Sequence, residues 1–381
     1  GNEFGIDIII TDHHLPLADK QGKQILPQAY AVINSKKDAC EYRFDQLCGA
    51  GTAFKLVQAL IRKRDFGLPE GWEKWLLDVV GISTIADMVP LVGENRALAH
   101  FGLKVLRKSP RPGLQVLLKK LRVNQNYLSE EDIGFTIAPR INAASRMGEP
   151  IDAFELLAND DLSRASALAE HLNHLNDQRK GKVAAIVREA KKRLLGRELR
   201  EVIVIGDPEW MPGLLGLVAN SLAEAFRRPV FVWGREGSEE IKGSCRSNNG
   251  VSIVALMSKT PNGTFLDLGG HRDAGGFSID QEKIYSLEEE LVKAYHALES
   301  KKEKERKIMC DAKLLLDDVT ENLYRQIDAL APFGIDNPKP VFLFENVSVV
   351  RVEKFGKAKE HLKLVFLNRF GEISAISFFA A

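Results

Sequence analysis

In "TDHHLP" an acid, Asp12, and two adjacent histidines, His13 and His14, follow a run of β-branched residues. Imidazole beside carboxylate is the composition of a transition-metal or acid–base site. A further carboxylate, Asp87 in "STIADMVPL", closes an apolar helical run shortly before Pro90. A carboxylate at a helix C-terminus opposes the helix dipole, and a bound cation compensates it. Carboxylate plus imidazole suits Mn²⁺ or Mg²⁺ phosphoryl chemistry. Taken singly, each motif also has the composition of a polar turn.

Anion-binding side chains gather in three other stretches. "GFTIAPRINAASRMGEP" carries Arg140, Asn142 and Arg146 among small residues that let a backbone approach a ligand, and arginine forks match phosphate oxygens. "IKGSCRSNNG" offers the Gly243 amide, the Ser244 and Ser247 hydroxyls and the Arg246 guanidinium after a short strand, a set that reads as an anion cradle. In "DLGGHRDAGGFSI" paired glycines, Gly270 among them, flank His271 and Asp273. The run lacks the strand, GxGxxG, helix order of a dinucleotide fold.

The elements that position these groups follow from periodicity. Residues 6–11 read as a buried strand of a parallel sheet, and ligands of such sheets bind beyond the strands' carboxyl ends. Helical spacing over 48–64, 72–85, 97–107 and 112–121 predicts the cover of an α/β domain. Residues 161–195 predict one long helix that reads as a connector. Strands at 201–206 and 228–233 bracket a helix at 214–226, giving a β-α-β unit. The charge run 299–307 reads as a solvated boundary. A helix at 320–330 and strands at 341–352, 361–366 and 372–378 suggest a small barrel such as an OB-fold.

Composition limits the alternatives. The 381 residues, 45% hydrophobic and 28% charged, suit two or three soluble domains. A net charge of +1 gives no global push toward nucleic acid, so any polyanion site must be local. No run reaches the roughly 18 apolar residues of a membrane helix, and the expected location is cytoplasmic. The four cysteines are scattered without C-x-x-C spacing, which predicts reduced thiols rather than a zinc site.

Seven blocks in order, "TDHH", "ADMVPL", "APRINAASRMG", "WMPGLLGLVA", "GSCRS", "GGHRDAGGF" and "APFGIDNPKPVF", resemble the DHH phosphoesterase superfamily and, within it, the bacterial RecJ single-stranded-DNA exonucleases. The resemblance covers nearly the whole chain. It implies a DHH phosphoesterase domain with a parallel sheet (1–158), a connecting helix (159–198), a smaller α/β DHH-associated domain (199–300) and an OB-fold domain (301–381). Two aspartate-bearing strand-end motifs of the family lie upstream of its DHH triplet, so the first domain is expected to lack N-terminal strands and the barrel to lack its last ones. Ser145, Gly275 and Met211 stand where the family more often has glycine, alanine and a polar residue.

By the same resemblance a two-metal site holding Mn²⁺ or Mg²⁺ has His13 and Asp87 among its ligands, with Asp12 in support. His14 contacts the scissile phosphate or assists catalysis, and His271, beside Gly270, sits near that phosphate. Ser244 and Arg246 look like the pair that receives the DNA 5′ end, and Arg140, Asn142 and Arg146 like the wall of the strand cleft. Phe355, Lys357, Lys359 and Lys363 would hold the strand by stacking and phosphate contacts. The implied activity is metal-dependent 5′ to 3′ digestion of single-stranded DNA by a monomer in recombination and repair, with a single-strand-binding protein and a helicase as partners. A small-substrate DHH phosphatase and a non-catalytic single-strand-binding scaffold are the competing classes.

Overall fold

A computed structural model describes residues 4–19, 21–38, 40–237, 239–298, 309–356, 359–378 and 380. The charge run 299–307 and Lys357 lie outside the described residues. Along the chain come strands β1 (Ile9–Thr11), β2 (Leu17–Ala18), β3 (Gln24–Ile25) and β4 (Ala31–Ile33). Helices α1 (Gly49–Lys63), α2 (Leu77–Ala86), α3 (Gly93–Leu106), α4 (Pro112–Leu121), α5 (Ala138–Met147), α6 (Pro150–Ala158) and α7 (Leu162–Leu195) follow. The chain then alternates through β5 (Ile203–Gly206), α8 (Pro212–Phe226), β6 (Val230–Gly234), β7 (Ile241–Arg246), α9 (Ile253–Ser258), β8 (Asp267–Gly270), β9 (Ala274–Ile279) and α10 (Leu287–Ala297). Last come β10 (Ala312–Lys313), α11 (Glu321–Asp328), β11 (Phe342–Leu343), β12 (Arg351–Phe355), β13 (His361–Asn368) and β14 (Gly371–Ser377). No helix among the described residues is long and apolar enough to cross a membrane.

The chain divides into two compact units. The first comprises residues 1–109, 123–135 and 307–381. Here β1 pairs in parallel with β4, Ile9 opposite Ala31 and Thr11 opposite Ile33. The predicted strand over residues 6–11 is therefore shorter, and it is not buried: Ile6, Ile8 and Ile9 are exposed, Ile9 at 52%. Among the described residues β4 is the sole ladder partner of β1, so an apolar run suited to full cover has little of it. Leu47, Phe54, Val80 and Leu98 form the core beneath α1, α2 and α3. α2 and α3 cross at a pair of glycines, where a Cβ on Gly81 would lie 2.8 Å from Gly102 Cα.

The segment after α11, rich in proline and glycine, docks on this unit. Leu91 N–H donates to the Ile335 carbonyl at 2.7 Å, and Arg96 Nη2 to the Leu330 carbonyl at 2.7 Å. Beyond it β12, β13 and β14 make an antiparallel meander, with β10 and β11 paired in parallel apart from it. The single strand predicted over 341–352 is thus two, β11 and β12. Asn346 between them takes a left-handed conformation at φ 55°, which an extended strand does not accommodate.

The second unit comprises residues 110–122 and 136–306. Its five-stranded sheet has the order β5-β6-β7-β9-β8; β5 and β6 are parallel, as the β-α-β reading requires, and the remaining pairs are antiparallel. On one face α8 and the end of α7 pack through Leu215, Val218, Leu222, Ala190 and Leu194. On the other, α9 and α10 cover Phe231, Cys245 and Phe277. Burial pushes the Cys245 thiol up to about 12, so it is an inert apolar packing group.

Helix α7 is the predicted long helix, and it is more than a connector. It buries Ala165, Leu168, Leu172 and Leu175 and packs along α4, α5, α6 and α8. Its N-cap Asp161 accepts from the Ser163 and Arg164 amides at 2.8 and 3.4 Å. Asp161→Ala is expected to cost about 1 kcal/mol, read as a lower urea midpoint with unchanged slope.

Candidate active site

Four of the predicted site residues meet in the first unit. β1 ends at Thr11, and the Asp12 amide still donates to the Ile33 carbonyl at 3.0 Å, so the acid leaves a fixed strand end. Asp12 Oδ1 accepts from the His13 amide at 2.7 Å and the His14 amide at 3.2 Å, and lies 2.7 Å from His14 Nδ1. Burial works against its ionisation, but the hydrogen bonds from the His14 ring and the two amides outweigh it and lower its pKa. Asp12 is thus an ionised clamp that holds both histidines.

His13 turns toward the other carboxylate. Asp87 caps the C-terminus of α2, its amide donating to the Ser83 carbonyl at 2.9 Å, and its Oδ2 lies 3.5 Å from His13 Nδ1. The imidazole rests on the start of α1, since a Cβ on Gly49 would sit 3.4 Å from His13 Cδ2. Burial first, then the His14 and Lys36 charges, lower its pKa against the pull of Asp87. A histidine so biased keeps a neutral ring with a lone pair free for a ligand.

Two positioning residues lie outside the sequence motifs. Asn34 follows β4 at the same carboxyl edge, is only 3% exposed, donates from Nδ2 to the His14 carbonyl at 2.8 Å and accepts from the Lys36 amide at 2.8 Å. It stitches the two strand ends together. Cys48 caps α1, its Sγ accepting from the Gly51 amide at 3.3 Å and lying 3.5 Å from Thr84 Oγ1 on α2. The sequence signal for Asn34 is an amide directly after the β-branched "AVI", the pattern that also marks Asp12.

The donor set fits a share of a Mn²⁺ or Mg²⁺ shell. Imidazole and carboxylate converge at 3.5 Å, and the carboxylate stands at a helix C-terminus, where a cation relieves the dipole. Among the described residues no group of three or more His, Cys, Asp and Glu side chains is arranged for a metal. His13 and Asp87 offer two donors, fewer than such ions take, and water and phosphate oxygens commonly fill the rest of such a shell.

The second unit assembles the arginines. "APRINAASRM" is helix α5 and not a loop; its small residues Ala138, Ala143 and Ala144 are buried against neighbouring helices, so they serve packing rather than ligand approach. Arg140 donates to the Thr136 carbonyl at 2.8 Å and to Asn173 Oδ1 at 3.3 Å. Arg146 Nη1 donates to the Gly213 carbonyl at the start of α8 at 3.0 Å. Asn142 is exposed on α5.

"IKGSCR" forms β7 itself, a central strand, so the Gly243 amide belongs to the ladders and not to a cradle. A Cβ at Gly243 would overlap the Phe277 ring, which explains the glycine by packing. Alternation sends Ser244 and Arg246 to the face opposite Cys245, under α8. A Cβ on Gly216 would lie 3.0 Å from Arg246 Nη2 and 3.6 Å from Ser244 Oγ. Burial lowers the Arg246 pKa, with a smaller push from Arg146, and Arg246 Nη1 donates to the Cys245 carbonyl at 2.8 Å.

His271 is exposed in the turn between β8 and β9, its amide donating to the Ala274 carbonyl at 2.7 Å. Ala274 pairs with Arg246, which sets the turn beside the arginine. Gly270 has a structural reason: at φ 153°, a Cβ there would sit 2.5 Å from Gly275 Cα. Lys359 and Lys363 stand apart, on the meander of the first unit, where Lys363 Nζ is 3.5 Å from Glu353 Oε2. Phe355, His361 and Phe378 cluster there at ring-centroid distances of 5.1 to 6.3 Å.

Known proteins share these parts. The DHHA1 domain model matches residues 199–300 and the RecJ OB domain model residues 310–381. The single-stranded-DNA-specific exonuclease RecJ of Haemophilus influenzae is 31% identical over 99% of this chain and 67% of its own. The chain belongs to the RecJ family. RecJ of Bacillus subtilis is 34% identical over 99% of this chain and 46% of its own length. The crystal structure of Thermus thermophilus RecJ in complex with Mn²⁺ superposes at a TM-score of 0.80 and 31% identity, covering 99% of this chain and 53% of that one. The expected α/β fold with DHH-associated and OB parts is the RecJ fold. This chain spans about half the length of the B. subtilis and T. thermophilus RecJ chains.

Proposed function

We propose that this chain supplies much of the active site of a metal-dependent exonuclease that digests single-stranded DNA 5′ to 3′. The observation that carries the proposal is the strand-end clamp: Asp12 holds His13 and His14, and His13 meets Asp87 at 3.5 Å. His13 and Asp87 would hold the Mn²⁺ or Mg²⁺ ion. When bound, such an ion activates a water and neutralises charge on the phosphoryl group. Asp12 fixes the His14 ring and the backbone of His13, and the exposed His14 offers a proton donor or acceptor toward the phosphate. Ser244, Arg246 and Arg146 bind backbone phosphate by charge-assisted hydrogen bonds, without reading bases. His271 acts beside them, and Arg140 and Asn142 line the path of the strand.

In this function the chain divides as 1–158, 159–198, 199–300 and 301–381, with the last part gripping the strand through the Phe355 cluster, Lys357, Lys359 and Lys363. It includes a cytoplasmic monomer, supplied with substrate by a helicase and a single-strand-binding protein. The test is digestion of 5′-labelled single and double strands by the complete protein, with Mn²⁺ or EDTA. Loss of the single strand alone, and only with metal, is expected; a strand that is bound but never cut makes the protein a scaffold. Arg246→Ala is expected to weaken single-strand binding roughly 10- to 100-fold, the worth of a lost charged hydrogen bond, measured by anisotropy in EDTA.

A further inference from the structure

A cavity of about 220 Å³ lies past the carboxyl end of β4, between that strand and the first turns of α1, within the first unit. Val32 and Ile33 wall it from the strand, and Leu47 and Thr52 from the entry to α1. The loop between them adds Lys37, Cys40 and Tyr42. Solvent reaches it on the loop side, where Tyr42 is 41% exposed and Lys37 and Cys40 are half-buried. Neither His13 nor Asp87 lines it, so the cavity is separate from the pair proposed to hold metal.

The wall is apolar because its polar atoms are spent on the protein. Thr52 Oγ1 donates to the Cys48 carbonyl and the Ser35 hydroxyl to the Asp45 carbonyl, each at 3.3 Å. Asn34, also on the wall, already serves the His14 carbonyl and the Lys36 amide. At the far end Lys55 Nζ pairs with Glu94 Oε2 at 2.5 Å, and the Tyr42 hydroxyl donates to Glu94 Oε1 at 2.8 Å, so that cation is matched by a carboxylate. Lys37 differs. Its Nζ donates to the carbonyl of Val32, itself a wall residue, at 2.8 Å, and a neutral carbonyl leaves the charge and further donors of the ammonium to a ligand.

Size narrows the ligand. An apolar cavity of about 150 Å³ takes benzene, whereas drug-sized ligands fill roughly 300 to 1,000 Å³. A volume of about 220 Å³ therefore suits a single aromatic ring with a short arm. One cation beside the space for the ring calls for an anion at the end of that arm.

We infer that this cavity binds an aromatic carboxylate, with the ring between β4 and α1 and the carboxylate on Lys37. The site goes beyond the nuclease reading and does not rest on it. Asn34 is common to the cavity wall and to the strand-end clamp, so the occupant lies against the residue that ties β4 to the His14 backbone.

The experiment is calorimetry of the complete protein with phenylacetate as the probe. A Kd of about 1 mM or below is expected, the range open to about ten heavy atoms, and phenylacetamide, which keeps the shape without the charge, is expected to bind roughly 10-fold more weakly. Lys37→Gln is expected to raise the phenylacetate Kd roughly 10-fold. Cys40 locates the ligand: with phenylacetate at about ten times its Kd, labelling by iodoacetamide, followed peptide by peptide, is expected to slow about 10-fold at Cys40 and to stay unchanged at the exposed Cys310. Absence of binding overturns the site, and so does binding that leaves Cys40 unprotected, because the probe then sits elsewhere. A folded Lys37→Gln protein with unchanged Kd overturns the role of Lys37. Should that variant not fold, the amide decides: equal affinity for phenylacetate and phenylacetamide overturns the carboxylate. Thymidine 5′-monophosphate is the competing probe, and if it alone binds and protects Cys40, the aromatic carboxylate is overturned and the cavity belongs to the nucleotide's path. None of these readouts uses cleavage, so failure of the nuclease reading leaves each of them decisive.

Discussion

His13→Ala in the complete protein is expected to lower metal-dependent digestion of single-stranded DNA by more than about 100-fold, because even partners that merely orient metal ligands cost 10–100-fold when lost. The ring meets Asp87 at 3.5 Å and rests on the start of α1, so its removal takes away the donor that faces Asp87 while α1 stays in place. Single-strand binding in EDTA is expected to stay near the wild-type value, since the arginines of the second unit are untouched. Asp12→Asn is expected to fall between wild type and His13→Ala, within about 10–100-fold of wild type, because the amide keeps the shape but not the charge that clamps His14. Rates measured across a Mn²⁺ titration check both. Activity of His13→Ala equal to wild type at saturating metal would remove His13 from the site.

Gly102→Val is expected to destabilise the fold by about 3 kcal/mol, the upper range for forcing extra bulk into a packed interior. A Cβ at Gly102 would lie 2.6 Å from Gly81 Cα and 2.7 Å from the Leu77 carbonyl oxygen. Those are backbone atoms of α2 and cannot swing aside, so the helix itself must shift. Asp87 caps that helix, so activity is expected to fall together with stability. Gly181→Ala is the control: nothing lies within 4 Å of a Cβ there, and the substitution is expected to stabilise α7 by roughly 0.5–1 kcal/mol. Urea midpoints for the two variants should move in opposite directions. Equal midpoints would show that the α2 and α3 backbones are not in the close contact described.

Helices are largely legible in the sequence, because a 3.6-residue apolar period needs only local information. α1, α4, α7 and α8 fall at or within a few residues of their predicted bounds. Strands are less so. β1 is short and exposed where the β-branched run predicts burial, and the stretch 341–352 breaks at Asn346, because strand length depends on what pairs alongside. "IKGSCR" has the composition of a loop beyond a strand and is the strand, since burial of Gly243 and Cys245 on one face comes only from α9 and Phe277.

For the site, residue type and order alone determined the candidate chemistry: an acid and two histidines after a β-branched run, a carboxylate closing a helix, and arginines beside serine. Side-chain chemistry is carried by each residue wherever it sits. Only the tertiary structure decided that His13 faces Asp87 across 74 positions of sequence, and that Asn34 and Cys48 hold them there. Those are contacts between distant segments, fixed by how helices and strands pack, and no local spacing encodes them.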